Sequence, residues 1–113
     1  MKILVTGGAG FIGTNLIEEL LLENENNHIT SLDCYWTGKK SNHINHPNIK
    51  YIEGHTWDIA KIFKDHGFDL IYHFGEFSRI VESFNQVNFL SKSNLYGTSM
   101  VLDFARKKNI KII

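Results

Sequence analysis

The chain has 113 residues, enough for one small domain with a hydrophobic core. Its twelve basic and twelve acidic residues cancel, which excludes the basic surface that attracts nucleic acid or an anionic membrane. No apolar run reaches membrane-spanning length, the N-terminus lacks the layout of a secretory signal, and a single cysteine, Cys34, excludes an internal disulfide, so we expect a cytoplasmic domain.

Strand and helix signals alternate along the whole chain. The sequence predicts strands at 2–5, 29–33, 49–53, 68–74 and 110–113, and helices at 11–23, 58–66 and 87–108. Thr56 and Gly67 are predicted to cap the middle helix. This alternation indicates an α/β fold, a Rossmann-type doubly wound parallel sheet of about five strands with helices on both faces.

The segment between the first strand and the first helix is Thr6-Gly7-Gly8-Ala9-Gly10-Phe11-Ile12-Gly13. Glycines three apart permit a tight turn, approach of the backbone to a pyrophosphate, and close packing of helix on strand. The helix N-terminus adds free N–H groups and a positive dipole end. We therefore predict a dinucleotide site, with a purely structural turn as the alternative. A P-loop is excluded, because Thr14 follows Gly13 where that motif requires lysine.

Asp33 ends the second predicted strand, about twenty residues beyond Gly13. A carboxylate at this place accepts hydrogen bonds from the hydroxyls of the adenosine ribose. It also repels a 2′-phosphate, which favours NAD(H) over NADP(H). Two alternatives stay open: Asp33 is an ordinary residue of a turn, or Lys39 and Lys40 nearby accommodate that phosphate.

Four ordered stretches resemble the extended short-chain dehydrogenases/reductases, and among them the NAD-dependent nucleotide-sugar epimerases and dehydratases (UDP-glucose 4-epimerase-like enzymes). The glycine segment is similar to TGxxGFIG, and Leu32-Asp33 with 37–40 is similar to the adenosine loop. Residues 69–75 are similar to D-x-V-x-H-x-A-[AG], and 94–98 to N-x-x-G-T. The resemblance spans essentially the whole chain. It implies NAD as cofactor and the following cofactor-site residues: Gly7, Gly10, Phe11, Ile12, Gly13, Asp33, Gly38, Lys39, His55, Thr56, Phe74, Gly75, Glu76 and Asn94. Of these, Asn94 is implied to support the loops by hydrogen bonding.

Two residues depart from the pattern of that family. His55 stands where an aspartate usually contacts the adenine amino group, and an imidazole can accept a hydrogen bond or stack on adenine instead. Glu76 stands where a small residue is usual. A carboxylate beside a pyrophosphate is unfavourable unless it points away or pairs with a cation such as Arg79.

The histidines and aromatic residues have structural interpretations. His43 and His46 are three apart in the irregular segment 34–48, but no further ligand has zinc-site spacing, so we expect solvated loop residues. His73 is expected to be a satisfied core histidine. Phe74, Phe77, Phe84 and Phe89 are expected to pack rather than to bind bases, because no basic stripe accompanies them.

Enzymes of the resembling family carry a catalytic Tyr-x-x-x-Lys after the fifth strand. Only Tyr35 has a lysine at that offset, Lys39, and this pair falls in the adenosine loop. We expect residues 1–113 to be the NAD-binding N-terminal part of such an enzyme, without catalytic residues and inactive alone. A nucleotide sugar is then a partner of the full-length enzyme, and a homodimer or association through a sheet edge is a further expectation. The alternatives are a standalone dinucleotide-binding regulatory module and a non-binding relic that completes its sheet with another chain.

Overall fold

The computed structural model describes all residues from 1 to 113. Five parallel strands form one sheet in the order β3-β2-β1-β4-β5. This confirms the predicted five-stranded parallel sheet. The strands are β1 (Lys2–Thr6), β2 (His28–Asp33), β3 (Ile49–Glu53), β4 (Leu70–His73) and β5 (Lys111–Ile112).

The first helix and the helical region 87–108 agree with the prediction, whereas the middle helix is shorter than predicted and the helix at Ile80–Ser83 was not predicted. The helices are α1 (Phe11–Glu23), α2 (Ile59–Ile62), α3 (Ile80–Ser83), α4 (Val87–Leu90) and α5 (Thr98–Lys108), with a π-helical segment at Ser91–Gly97 and single 3₁₀ turns at Lys40–Asn42 and Thr56–Asp58. The predicted helix at 87–108 is therefore helical throughout. The one at 58–66 is shorter than predicted, because the buried Phe63 leaves the helical conformation at φ −112° and ψ 33°. Thr56 makes no capping bond and lies buried within the preceding turn.

Side chains of β1 alternate between two hydrophobic clusters, one on each face of the sheet. Ile3 and Val5 pack with Ile17 of α1, whereas Leu4 packs with Ile59 of α2 and Val101 of α5. Successive residues of a strand point to opposite faces, so one strand serves both clusters. The helices on both faces explain why the central strands read as continuous apolar runs.

The order of the strands locates the functional edge of the sheet. From β1 the chain proceeds outward to β2 and β3, then crosses back to place β4 on the other side of β1. The direction of winding reverses between β1 and β4, and ligands of open α/β sheets bind at the carboxyl ends of strands beside such a switch point. None of the helices has the length and apolar character needed to cross a bilayer.

Candidate dinucleotide-binding site

A cleft of about 680 Å³ opens at the carboxyl ends of β1, β2 and β4. Its wall is built by the loops that follow these three strands and β3, together with Phe89 and Ser93 of the helical region. Every site residue named from the sequence lies in this wall except Asn94. Residues far apart in the chain are thus brought together at the switch point.

The glycine loop after β1 is shaped by close backbone contacts. Gly7 has φ +72°, and a Cβ there would lie 2.8 Å from the backbone carbon and oxygen of Phe74. A Cβ at Gly13 would meet the Gly7 carbonyl oxygen and lie 2.7 Å from Gly8 Cα. A larger residue at Gly7 would push the loop away from the end of β4, and a larger residue at Gly13 would push α1 away from the loop. Around Gly10 the space is more open, since a Cβ would find only Gly7 O, at 3.4 Å.

Helix α1 begins at this loop with its first N–H groups free of side-chain acceptors. Gly10 is the N-cap residue, no side chain caps the helix, and the first turn contains no acidic residue. The side chains of Phe11 and Ile12 are largely exposed. Unpaired N–H groups and the positive end of the helix dipole make such a terminus suited to an anion.

The Asp33 carboxylate lies in the cleft and is held by two backbone donors. Its Oδ2 accepts the N–H of Ala9 at 2.9 Å, and its Oδ1 accepts the N–H of Tyr35 at 2.8 Å. An ionised carboxylate has about four lone-pair sites, so each oxygen keeps capacity for a further donor. Asp33 therefore fixes the loops around it and still presents acceptors to the cleft.

The segment after β2 folds back onto the glycine loop. The buried Ala9 accepts at its carbonyl oxygen the Lys39 N–H at 3.2 Å and the Asn42 Nδ2 at 2.8 Å. Asn42 lines the cleft but was missed by the sequence analysis, because no local pattern distinguishes it from other polar loop residues. The irregular segment is thus ordered around the site.

His43 is exposed, as expected, but it makes specific contacts. Its ring stacks on Tyr51 at 3.7 Å between centroids, and its Nε2 lies 2.7 Å from the hydroxyl of Tyr35. His46 Nδ1 accepts the N–H of Asn48 at 3.1 Å. No three His, Cys, Asp or Glu side chains lie where they could share a metal ion. Through these contacts the two histidines help to shape the loop.

A chain of hydrogen bonds runs from β1 through His73 to Glu76. The Gly75 N–H donates to Thr6 Oγ1 at 3.0 Å, and Thr6 Oγ1 lies 2.7 Å from His73 Nδ1. His73 Nε2 lies 3.0 Å from Thr98 Oγ1, which donates to Glu76 Oε1 at 2.6 Å. The neutral tautomer of His73 with its proton on Nε2 satisfies every bond of this chain: the Thr6 hydroxyl then donates to Nδ1, and Nε2–H donates to Thr98.

The surroundings of His73 agree with that neutral form. Burial lowers the pKa of His73 below its ordinary value of 6.5, and the negative charge of Glu76 opposes this effect only in part. The His73 Nε2 to Glu76 Oε1 distance is 3.7 Å. His73 was predicted to be a core histidine, and its side chain is indeed only 8% exposed.

Of the two alternatives left open for Glu76, the pairing with a cation such as Arg79 is not formed. The carboxylate accepts the Thr98 hydroxyl instead, and Arg79 forms no ion pair. Arg79 itself lines the cleft. The reason is geometric, because the π-helical segment and α5 bring Thr98 within reach of Glu76.

Aromatic rings cluster along one side of the cleft. His55 stacks on Trp57 at 4.0 Å, and Trp36 lies 5.3 Å from Phe89 and 5.9 Å from Phe77, all between ring centroids. Trp36 and Trp57 were missed as site residues because isolated tryptophans carry no motif.

The four phenylalanines differ in how far they pack. Phe77 is buried, and Phe89 contacts the rings of Trp36, Trp57 and Phe77. The packing predicted for Phe84 is wrong, because this side chain is 77% exposed, and Phe74 is also exposed.

Asn94 stands behind the wall and fastens the loop after β4. Its Oδ1 accepts the Phe77 N–H at 2.6 Å, and its Nδ2 donates to the Phe77 carbonyl oxygen at 2.9 Å. The amide side chain of Asn94 thus forms hydrogen bonds with both backbone polar groups of Phe77. This is the supporting hydrogen bonding that the resemblance implied.

Comparison with known proteins identifies the family of this chain. The family model described as GDP-mannose 4,6 dehydratase matches residues 4–113. UDP-glucuronic acid decarboxylase 3 of Arabidopsis thaliana is 36% identical over 100% of this chain and 32% of its own length. Among solved structures, UDP-glucose 4-epimerase of Thermotoga maritima has a TM-score of 0.85 at 27% identity over 97% of this chain and 35% of its own. A dTDP-glucose 4,6-dehydratase of Bacillus anthracis, solved in complex with NAD, has a TM-score of 0.83 at 28% identity over 99% of this chain and 36% of its own. The chain spans about a third of the length of these relatives.

Proposed function

The chain belongs to the GDP-mannose 4,6-dehydratase family of extended short-chain dehydrogenases/reductases, and we propose that its 113 residues are the NAD-binding part of a nucleotide-sugar epimerase or dehydratase. The observation that carries this proposal is the cleft at the switch point, with the glycine loop in its centre and Asp33 in its wall. A dinucleotide requires this combination of free N–H donors for its pyrophosphate and a carboxylate for its ribose. Related enzymes solved with NAD support it.

Preference for NAD over NADP is supported by the charges around Asp33. The carboxylate repels a 2′-phosphate on the ribose that it binds. Of the two lysines nearby, Lys40 places its Nζ 3.4 Å from Glu53 Oε2 and does not line the cleft, which leaves Lys39 in the cleft wall. One lysine beside Asp33 compensates poorly for the added repulsion.

In a complete enzyme of this kind, bound NAD accepts a hydride from a sugar carbon and returns it later. The residues of this chain bind and orient the cofactor, and we propose that the chain alone does not turn over a nucleotide sugar. Its one Tyr-x-x-x-Lys pair is unsuited to catalysis, because Tyr35 does not line the cleft. Burial, then the charges of Asp33 and Glu53, also raise the pKa of Tyr35. A tyrosine that acts as a general base near neutral pH needs a lowered pKa.

The test is calorimetric titration of the chain with NAD, NADH, NADP and NADPH, together with assays for epimerisation and dehydration. We expect NAD(H) to bind and NADP(H) to bind more weakly, with no turnover. Failure of every dinucleotide to bind at millimolar concentration would contradict cofactor binding and favour the relic that completes its sheet with another chain. Turnover by the chain alone would contradict the assignment of catalysis to residues outside it.

The proposal extends to compartment and self-association. A free, half-buried Cys34 suits the reducing cytoplasm. Association with a second copy is supported by apolar side chains of the helical region that are 70–78% exposed: Ile80, Phe84 and Leu95. Sedimentation equilibrium tests this, because a monomer across the micromolar range contradicts it.

A further inference from the structure

Two acidic side chains line the cleft, and they lie on opposite sides of the glycine loop. Asp33 ends β2 and Glu76 follows β4, while the glycine loop follows β1, which lies between these two strands. A dinucleotide whose pyrophosphate lies at the glycine loop extends one ribose toward each side. With the adenosine ribose at Asp33, the second ribose lies on the side of Glu76.

The Glu76 carboxylate is held in place and still has acceptor capacity. Its Oε1 accepts the Thr98 hydroxyl, and this bond belongs to the chain that continues through His73 to Thr6. Its Oε2 has no donor within the protein, and the side chain is 43% exposed. Glu76 is anchored by a hydroxyl and not by a cation, so its negative charge is not neutralised. Its Oε2 is therefore a strong hydrogen-bond acceptor.

Resting on the proposed binding of NAD, we propose that Glu76 accepts a hydrogen bond from a hydroxyl of the nicotinamide-side ribose. Vicinal hydroxyls are donors that an anionic oxygen binds well, as Asp33 is placed to do on the adenosine side. The unpaired Arg79, three residues later in the same wall, offsets the repulsion between Glu76 and the pyrophosphate. Glu76 is then a cofactor-specificity residue that distinguishes a dinucleotide from its adenosine half.

Affinity for NAD compared with affinity for ADP tests this inference. ADP carries the adenosine ribose and both phosphates but lacks the second ribose. For Glu76→Ala we expect NAD binding weakened about tenfold and ADP binding unchanged. Glu76→Gln replaces one carboxylate oxygen by a donor. Like Glu76→Ala, it should lower the affinity for NAD relative to the affinity for ADP. Thr98→Val, which removes the anchoring hydroxyl, lowers the NAD affinity less.

The matched control is Glu82→Ala, which removes an exposed carboxylate of α3 outside the cleft wall and leaves both affinities unchanged. Thermal unfolding of each variant verifies that it folds. Equal weakening of NAD and ADP by Glu76→Ala, or no change in either, overturns the inference alone. Absence of NAD binding by the wild-type chain overturns the proposed function and the inference with it.

Discussion

The Asp33 carboxylate and the Ala9 N–H form a 2.9 Å hydrogen bond that joins the end of β2 to the glycine loop. Ala9 also accepts two hydrogen bonds from the segment after β2, so both of its polar backbone groups are used. The two loops that would hold the adenosine half of a dinucleotide therefore support each other before a ligand arrives. Such preorganisation reduces the ordering cost of binding.

Asp33→Ala is expected to weaken NAD binding by about 1–3 kcal/mol, because acceptors for the ribose are lost and a donor at Ala9 is released. Isothermal titration measures the dissociation constant. The matched control, Asp65→Ala, removes an exposed carboxylate outside the cleft and leaves binding unchanged. An unaltered constant for Asp33→Ala contradicts the role given to Asp33.

Gly13→Ala is expected to lower both stability and NAD affinity. The added Cβ meets the Gly7 carbonyl oxygen and lies 2.7 Å from Gly8 Cα, so the backbone must shift, at a cost of about 1–3 kcal/mol in the free energy of unfolding. Gly67→Ala is the control, because a Cβ there meets nothing within 4 Å. Denaturant unfolding of both variants makes the comparison. Equal stability of the two would show that α1 does not pack against this loop as closely as described.

Acidification is expected to destabilise the fold through His73. Burial lowers its pKa in the folded state below the ordinary value of 6.5, so the unfolded chain binds the proton more readily. The stability contributed by neutral His73 is complete above about pH 6.5 and decreases as the pH falls below it toward the folded-state pKa. Melting temperatures measured from pH 7.5 downward follow this change.

The control for this pH effect is a pair of variants. His73→Gln should remove part of the loss of melting temperature on acidification, whereas substitution of the exposed His28 by glutamine should leave the pH profile as it is in the wild type. Identical pH profiles for His73→Gln and the wild type would exclude His73 as the titrating group.

Asn94→Ala is expected to lower the free energy of unfolding by about 1–3 kcal/mol, since both polar backbone groups of Phe77 lose their partner. Asn94→Asp should recover part of this loss, because a carboxylate accepts the Phe77 N–H but cannot donate to its carbonyl. Chemical denaturation measures both variants against Asn88→Ala, an exposed position of α4. If Asn94→Ala is as stable as the control, Asn94 does not hold the loop.

Local patterns identified the parts of the site that depend on short segments. The glycine spacing predicted the loop and the start of α1. The spacing of about twenty residues from Gly13 singled out Asp33 as the carboxylate at the end of β2. These features follow from backbone sterics and from strand periodicity, which neighbouring residues determine. The contacts of Trp36 with Phe77 and Phe89 could not be predicted in this way, since no spacing rule links residues of two loops and of α4.

The sequence by itself determined the α/β alternation and the glycine motif, because each depends on residues close together in the chain. The parallel sheet follows from that alternation, since strands joined by a crossing helix run in the same direction. Only the tertiary structure decided the partner of Glu76. The sequence left open whether Glu76 points away or pairs with a cation such as Arg79, whereas the fold brings Thr98 Oγ1 of α5 to 2.6 Å from Glu76 Oε1 and leaves Arg79 without an ion pair in the cleft wall. The physical reason is that β4 and α5 pack in one hydrophobic cluster, which brings the Thr98 hydroxyl to one oxygen of the carboxylate without ordering a long, exposed arginine.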